Sequence, residues 1–221
     1  APSFDVTESL FIKGDIAINK ASVQKRHSEK MFVVDPSELV KGPIIGRGAS
    51  SYVQKATHTP TGTDLALKVV NMYDKGTRDQ MMREIECLYD ASCPSLVRFF
   101  GAFYRDGTIS IALEYMNGGS LANLVHQVGA VKEPVLAHIA YQVCYGLQYM
   151  KQILKRVHRD LKPENIRLRK NKQPVILDFG IAKAGEKEDE GMTKTGVLMG
   201  TVTYMAPEQI DAKNVGPAAD R

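Results

Sequence analysis

The sequence predicts an α+β chain in two parts: a small antiparallel β-rich lobe with one helix, followed by a mainly helical lobe. Three observations carry that expectation. Runs rich in β-branched residues, separated by turn signals, occupy the stretch from Ile44 to Tyr115. One helical pattern, Met81, Ile85 and Leu88, interrupts them. Beyond them, Leu136, Ile139, Val143, Leu147 and Met150 form a stripe that marks a long buried helix from Glu133 to Ile153.

Composition sets the limits. The 221 residues are 43% hydrophobic and 24% charged, with 18 Gly and 10 Pro, which excludes collagen-like, disordered and coiled-coil chains. A formal charge of +4, from 29 Lys+Arg against 25 Asp+Glu, is too small for a dedicated nucleic-acid binder. Cys87, Cys93 and Cys144 are odd in number and lack CxxC spacing, which argues against a disulfide framework or zinc knuckle and for a reducing, cytosolic or nuclear compartment. With no run of 18 apolar residues and no signal-peptide pattern at Ala1–Asp5, neither membrane insertion nor secretion is expected.

Residues 1–40 read as an extension, with short mixed runs at Phe11-Ile12 and Ile16-Ala17-Ile18, a turn at Lys13-Gly14-Asp15 and a basic patch at Lys25-Arg26-His27. Asp35-Pro36-Ser37-Glu38-Leu39 reads as one helical turn leading into a strand, since Asp suits an N-cap and Pro the first helical position. The first lobe is expected over 41–116. Its β-rich runs, Ile44 to Val53 and Leu65 to Val70, flank a turn at Thr59–Gly62. Thr77 with Gln80 suggests a capping box opening the helix, and strands from Leu96 to Phe103 and Ile109 to Tyr115 are joined by Arg105-Asp106-Gly107. The second lobe, 117–221, adds the long helix, short strands at Ile166–Leu168 and Val175–Leu177, and an acidic polar loop from Gly185 to Gly191.

Gly46-Arg47-Gly48 opens a turn whose missing side chains would let backbone N–H groups approach phosphate oxygens. By itself it is equally an ordinary hairpin. Lys68, bracketed by Leu65, Ala66, Leu67, Val69 and Val70, is an ammonium on an apolar strand and needs a partner; Glu84 on the following helix could supply it, unless Lys68 snorkels to solvent from an edge. The run His158-Arg159-Asp160-Leu161-Lys162-Pro163-Glu164-Asn165, followed by Asp178-Phe179-Gly180, carries more information. Asp160 can accept the proton of an attacking hydroxyl, Lys162 can neutralise charge on a transferred group, and Asn165 and Asp178 offer oxygen ligands to a hard cation such as Mg²⁺. From average residue usage, six such positions match by chance with odds on the order of one in a hundred thousand.

Together these residues resemble the eukaryotic-type protein kinase family, from about Ile44 to the last residue. The resemblance implies a bilobal kinase fold whose second lobe is incomplete, because family members continue through further helices after Ala206-Pro207-Glu208. It implies ATP and Mg²⁺ as cofactors. Ile45, Gly46, Gly48, Val53, Ala66, Lys68, Glu114 and Met116 would line the nucleotide, Lys68 held by Glu84 would grip its phosphates, Asn165 and Asp178 would hold the metal, and Asp160 with Lys162 would serve the acceptor. Within the family, Leu96–Tyr104, Glu114–Leu121 and Glu133–Ala137 look like mitogen-activated protein kinase kinases. That likeness implies transfer to Ser or Thr, with Tyr open, on a downstream mitogen-activated protein kinase, an upstream activating kinase, and a cytoplasmic location with nuclear shuttling. Thr193 and Thr195 are the candidate phosphoacceptors; Val197 stands where a second hydroxyl is expected, and Ser51 replaces the third loop glycine. A general Ser/Thr kinase of another group, or a kinase-like scaffold without turnover, are the alternatives.

Overall fold

The structure, a computed structural model, describes residues 4–7, 10–48, 51–72, 75–177, 202–210 and 216–220. It divides into two compact units, residues 1–91 with 97–115, and residues 92–96 with 116–221. Asp178-Phe179-Gly180, Thr193 and Thr195 lie outside the described residues.

The first unit contains two five-stranded antiparallel sheets. The extension, expected only as mixed short runs, is a regular meander of β1 (Phe4–Thr7), β2 (Leu10–Lys13), β3 (Ile16–Asn19), β4 (Ser22–Lys25) and β5 (Met31–Val33), paired in chain order. Its turns are locally coded. Gly14 takes a positive φ of 58° between β2 and β3. After β3, the Asn19 side chain accepts from the Ala21 and Ser22 N–H groups. Phe11, Ile16, Ile18 and Val23 are all buried, so the small sheet has an apolar face of its own.

Asp35 then caps a 3-10 turn at Pro36–Glu38 by accepting from the Ser37 N–H, with Pro in the first turn. The second sheet follows, with β6 (Leu39–Arg47), β7 (Ser51–His58), β8 (Thr63–Asn71), β9 (Phe99–Arg105) and β10 (Thr108–Glu114) in the order β6-β7-β8-β10-β9. The run from Ile44 to Val53 is thus two strands with a hairpin between them. Asp106 and Gly107, at φ 50° and 74°, make the two-residue β9–β10 turn, a pairing of types suited to positive φ at both positions. A bulge interrupts the β9–β10 register near Gly101, which pairs with Ala112 while Phe99 pairs with Leu113. Gly101 sits at φ 154°, and a Cβ there would lie 2.8 Å from Val34 Cγ2, so only glycine fits the bulge against the segment that follows β5.

From Leu65 to Val69, β8 alternates, with Leu65, Leu67 and Val69 buried beside Val34, Leu39, Ala56, Phe103 and Ala112, and Ala66 and Lys68 on the other, half-buried face. Val70, on that second face, is buried as well, so the strand is covered on both faces at its end and only partly at Ala66 and Lys68. α1 (Lys75–Asp90) buries Met81, Met82, Ile85 and Leu88. It begins before Thr77, so the Thr77–Gln80 pair lies inside the first turns and is not the helix cap.

In the second unit, α2 (Leu121–Val128) was not signalled by periodicity. Its cap is Ser120, whose side chain accepts from the Asn123 N–H while Asn123 Oδ1 accepts from the Ser120 N–H. α3 (Glu133–Gln152) packs through Ile139, Val143, Gly146 and Met150. Gly146 lets the helix close on Ser95 and on β12 (Pro174–Ile176), which pairs with β11 (Ile166–Leu168). The packing seam therefore runs through Gly146. Leu147 flanks it half-buried, and Leu136, expected in the buried stripe, is 50% exposed in the first turn. Ser92–Leu96 joins this unit through the Ile176 N–H donating to the Ser95 carbonyl and the Ser95 hydroxyl donating to Gln142. α4 (Pro207–Ile210) and a 3-10 turn at Pro217–Asp220 complete the described elements.

Candidate active site

The first unit places an ion pair at the centre of its sheet. Lys68 lies opposite Val53 on β7 and Ile111 on β10. Its Nζ is 2.8 Å from each carboxylate oxygen of Glu84. Glu84 is buried and the Lys68 side chain is only 19% exposed. Two turns of α1 residues, Met81, Ile85 and Leu88, hold the helix on the sheet, and so fix the carboxylate. Removing either partner of such a pair leaves a charge without compensation, at a cost of about 3–5 kcal/mol. The snorkelling lysine is thereby excluded.

Around this pair the structure places Gly46 opposite Val53 at the β6–β7 hairpin, and the Gly48 N–H donates to the Ser51 carbonyl to close it. Ile45, on the same strand, is 45% exposed. Ala66 pairs with Leu113, and Glu114 ends β10 with its N–H donated to the Arg98 carbonyl, so the Glu114 carbonyl is the backbone group that could accept from a ligand's amino group.

The second unit brings Asp160, Lys162 and Asn165 together. Asn165 Nδ2 donates to the Asp160 backbone carbonyl at 2.8 Å and to its Oδ2 at 3.0 Å, and Lys162 Nζ lies 3.0 Å from the same oxygen. Asn165 is buried at the end of a 3-10 turn, Pro163–Asn165, that leads into β11. Because its nitrogen serves Asp160, the oxygen of the amide is the atom it can offer a cation. Oxygen donors of this kind suit Mg²⁺, and Asp178, the other expected ligand, lies outside the described residues. Among the described residues no group of three or more His, Cys, Asp or Glu side chains is arranged to hold a metal ion.

The Asp160 segment is held in an unusual backbone state. Arg159 has a φ of 65°, a left-handed conformation that costs a non-glycine residue of order 1–3 kcal/mol unless its surroundings impose it. Two long-range partners impose it here. Asp220 accepts from the His158 N–H at 2.7 Å and from the Arg159 N–H at 2.8 Å, and Gln209 Nε2 donates to the Arg159 carbonyl at 2.8 Å. His158, fully buried, accepts the Asp160 N–H at Nδ1 and donates from Nε2 to the Leu177 carbonyl. Neither Asp220 nor Gln209 stood out as a partner of this turn in the sequence, since each lies 50 or more positions away. The Asp220→Ala variant is expected to lose about 1–3 kcal/mol, as two buried donors lose a charged acceptor. Its urea midpoint should fall, and Asp220→Asn, which keeps one oxygen, should fall less.

Burial pushes the Cys93 thiol above its ordinary value, which disfavours its thiolate.

A strand lysine paired to a helix glutamate, a glycine hairpin above it, and an Asp-Lys-Asn cluster on a strained turn are the parts of a phosphoryl-transfer enzyme. Residues 39–221 match the protein kinase domain family, and the chain belongs to that family. It is 45% identical over 200 residues to mitogen-activated protein kinase kinase 3 of Arabidopsis thaliana, an alignment that covers 89% of this chain and 38% of the relative. It is 36% identical over 213 residues to dual specificity mitogen-activated protein kinase kinase 1 of Dictyostelium discoideum, covering 96% of this chain and 32% of the relative. Dual specificity mitogen-activated protein kinase kinase dSOR1 of Drosophila melanogaster is 32% identical, with 94% of this chain and 51% of the relative covered. The chain thus spans about a third to a half of these relatives.

Proposed function

We propose that the protein transfers the γ-phosphoryl group of ATP, with Mg²⁺, to a hydroxyl group of a protein substrate, and that the substrate is a mitogen-activated protein kinase. The observation that carries this reading is the Lys68–Glu84 pair, formed with both carboxylate oxygens at 2.8 Å, in a chain that also keeps Asp160, Lys162 and Asn165 in mutual contact. The names of the relatives support the choice of substrate and the dual acceptor chemistry.

In this reading, Ile45, Val53 and Ala66 cover the adenine, Glu114 and Met116 meet its edge through backbone groups, and the Gly46–Gly48 hairpin covers the phosphates. Lys68 orients the α- and β-phosphates. Asn165 and Asp178 hold Mg²⁺, which when bound offsets phosphate charge. Asp160 accepts the proton of the substrate hydroxyl as its oxygen forms a bond to the γ-phosphorus and the bond to the leaving ADP oxygen breaks, and Lys162 offsets charge on the transferred group. Thr193 or Thr195 receives the activating phosphate from an upstream kinase, and Arg159 pairs with it. The setting is cytoplasmic; no helix among the described residues is long and apolar enough to cross a membrane.

The test uses γ-labelled ATP, Mg²⁺ and a mitogen-activated protein kinase whose own catalytic aspartate has been removed. Label on Thr and Tyr of that substrate is expected, together with a rise in melting temperature with MgATP. No label on any protein substrate and no thermal shift would favour the kinase-like scaffold instead, while label on Ser or Thr of other substrates alone would point to a different group of kinases.

A further inference from the structure

We propose that the amino-terminal sheet is a clamp on α1 that sets the register of Glu84 with Lys68, so that residues 10–32 are part of the positioning machinery. The inference rests on the kinase reading above and extends it to a segment that lies before the matched family region, 39–221.

The argument begins with α1 itself. It has no acidic residue in its first turn and no basic residue in its last, so it lacks the charges that would complement its own dipole. The extension supplies them at the carboxyl end. Lys30 Nζ donates to the Tyr89 carbonyl at 3.1 Å, and Lys25 Nζ lies 2.8 Å from Asp90 Oδ2. The hydrogen bond to Asp90 raises the Lys25 ammonium above the ordinary lysine value, with the charges of Asp90, Glu86 and Asp15 adding to it. Nearer the amino end, Lys13 pairs with Asp79.

Helical geometry then gives the arrangement a direction. Asp79 and Asp90 are eleven positions apart, about three turns, and so share one face, with Glu86 on it. Glu84, five positions after Asp79, points about 140° around the helix. The extension therefore holds α1 by the face away from the one that carries Glu84 to β8. Packing closes the grip: Phe32 meets Tyr89 and Phe99 edge-on at centroid distances of 5.1 and 4.8 Å, while the Tyr89 hydroxyl donates to the Lys30 carbonyl. Tyr89 is 2% exposed and sits one residue from the end of α1. Three segments of the extension thus touch both ends of the helix that carries Glu84 to Lys68.

Sliding or tilting of α1 would stretch the Lys68–Glu84 contact, and the clamp opposes that motion. Exposed ion pairs contribute little singly, so the test combines Lys25 with the aromatic anchor. In the full chain, Phe32→Ala and Lys25→Asp are expected to raise backbone hydrogen exchange across Lys75–Asp90, to make Lys68 about tenfold more reactive toward an amine-acylating reagent, and to lower kcat/KM for ATP about tenfold. The charge swap Lys25→Asp with Asp90→Lys should restore all three, and Phe32→Leu should restore most of the loss caused by Phe32→Ala. Unchanged Lys68 reactivity in variants whose α1 exchanges faster would overturn the clamp, as would a swap that restores nothing. Wild-type protein without phosphotransfer would count against the kinase reading alone, because exchange and Lys68 acylation are read without turnover.

Discussion

Replacing Asp160 by Asn is expected to lower the rate of phosphotransfer by about 10²–10⁴-fold, the usual worth of a positioned general base, with nucleotide affinity retained. The structure explains why this variant separates chemistry from folding. Asn165 keeps its 2.8 Å hydrogen bond to the residue-160 backbone carbonyl, and His158 keeps the residue-160 N–H, so the turn survives the loss of the carboxylate. The amide cannot take up a proton at neutral pH, and Lys162 loses the charge that holds it at 3.0 Å. Initial rates with γ-labelled ATP, alongside MgATP titrations followed by melting temperature, check both halves. A rate near that of wild type would remove Asp160 from the role proposed for it.

Lys68→Met should do the opposite in part, reducing phosphotransfer by about 10²–10³-fold and also weakening the fold of the first unit. Methionine fills the space but leaves the Glu84 carboxylate, 7% exposed, without its cation. The resulting loss of stability, about 3–5 kcal/mol if Glu84 stays charged, is smaller if it takes up a proton. Lys68→Arg keeps a charge beside Glu84 and so should recover most of the stability, but little of the rate, since the longer, planar guanidinium places its charge differently from the compact ammonium. Parallel losses of stability and rate across both variants would mean that Lys68 is a structural cation only.

Much of this arrangement could be read from local sequence, where the code is local. Asp106-Gly107 specifies a two-residue turn, Asp35-Pro36 specifies a capped 3-10 turn, and an ammonium on an apolar strand demands a carboxylate, found at Glu84. Other features depend on partners that no window of sequence contains. The extension's strands are three or four residues long, too short for alternation to stand out, and they become a sheet through four successive pairings. The α3 seam passes through Gly146, a residue with no hydrophobic signal, because close approach to Ser95 and Ile176 matters more there than side-chain volume. α2 is eight residues long and is marked mainly by a Ser120–Asn123 cap, where Asn stands in for the more familiar Glu or Gln. The left-handed turn at Arg159 is likewise invisible until Asp220 and Gln209 are brought to it.

The proposed function requires Lys68 and Lys162 to serve one and the same nucleotide. An ATP derivative carrying a reactive acyl group on its γ-phosphate transfers that group to amines beside the phosphates, and peptide mass spectrometry identifies the lysines modified. The account predicts that Lys68 and Lys162 are both acylated and that MgATP protects both with the same half-maximal concentration. Labelling of only one of them, or protection of the two at clearly different MgATP concentrations, would contradict it.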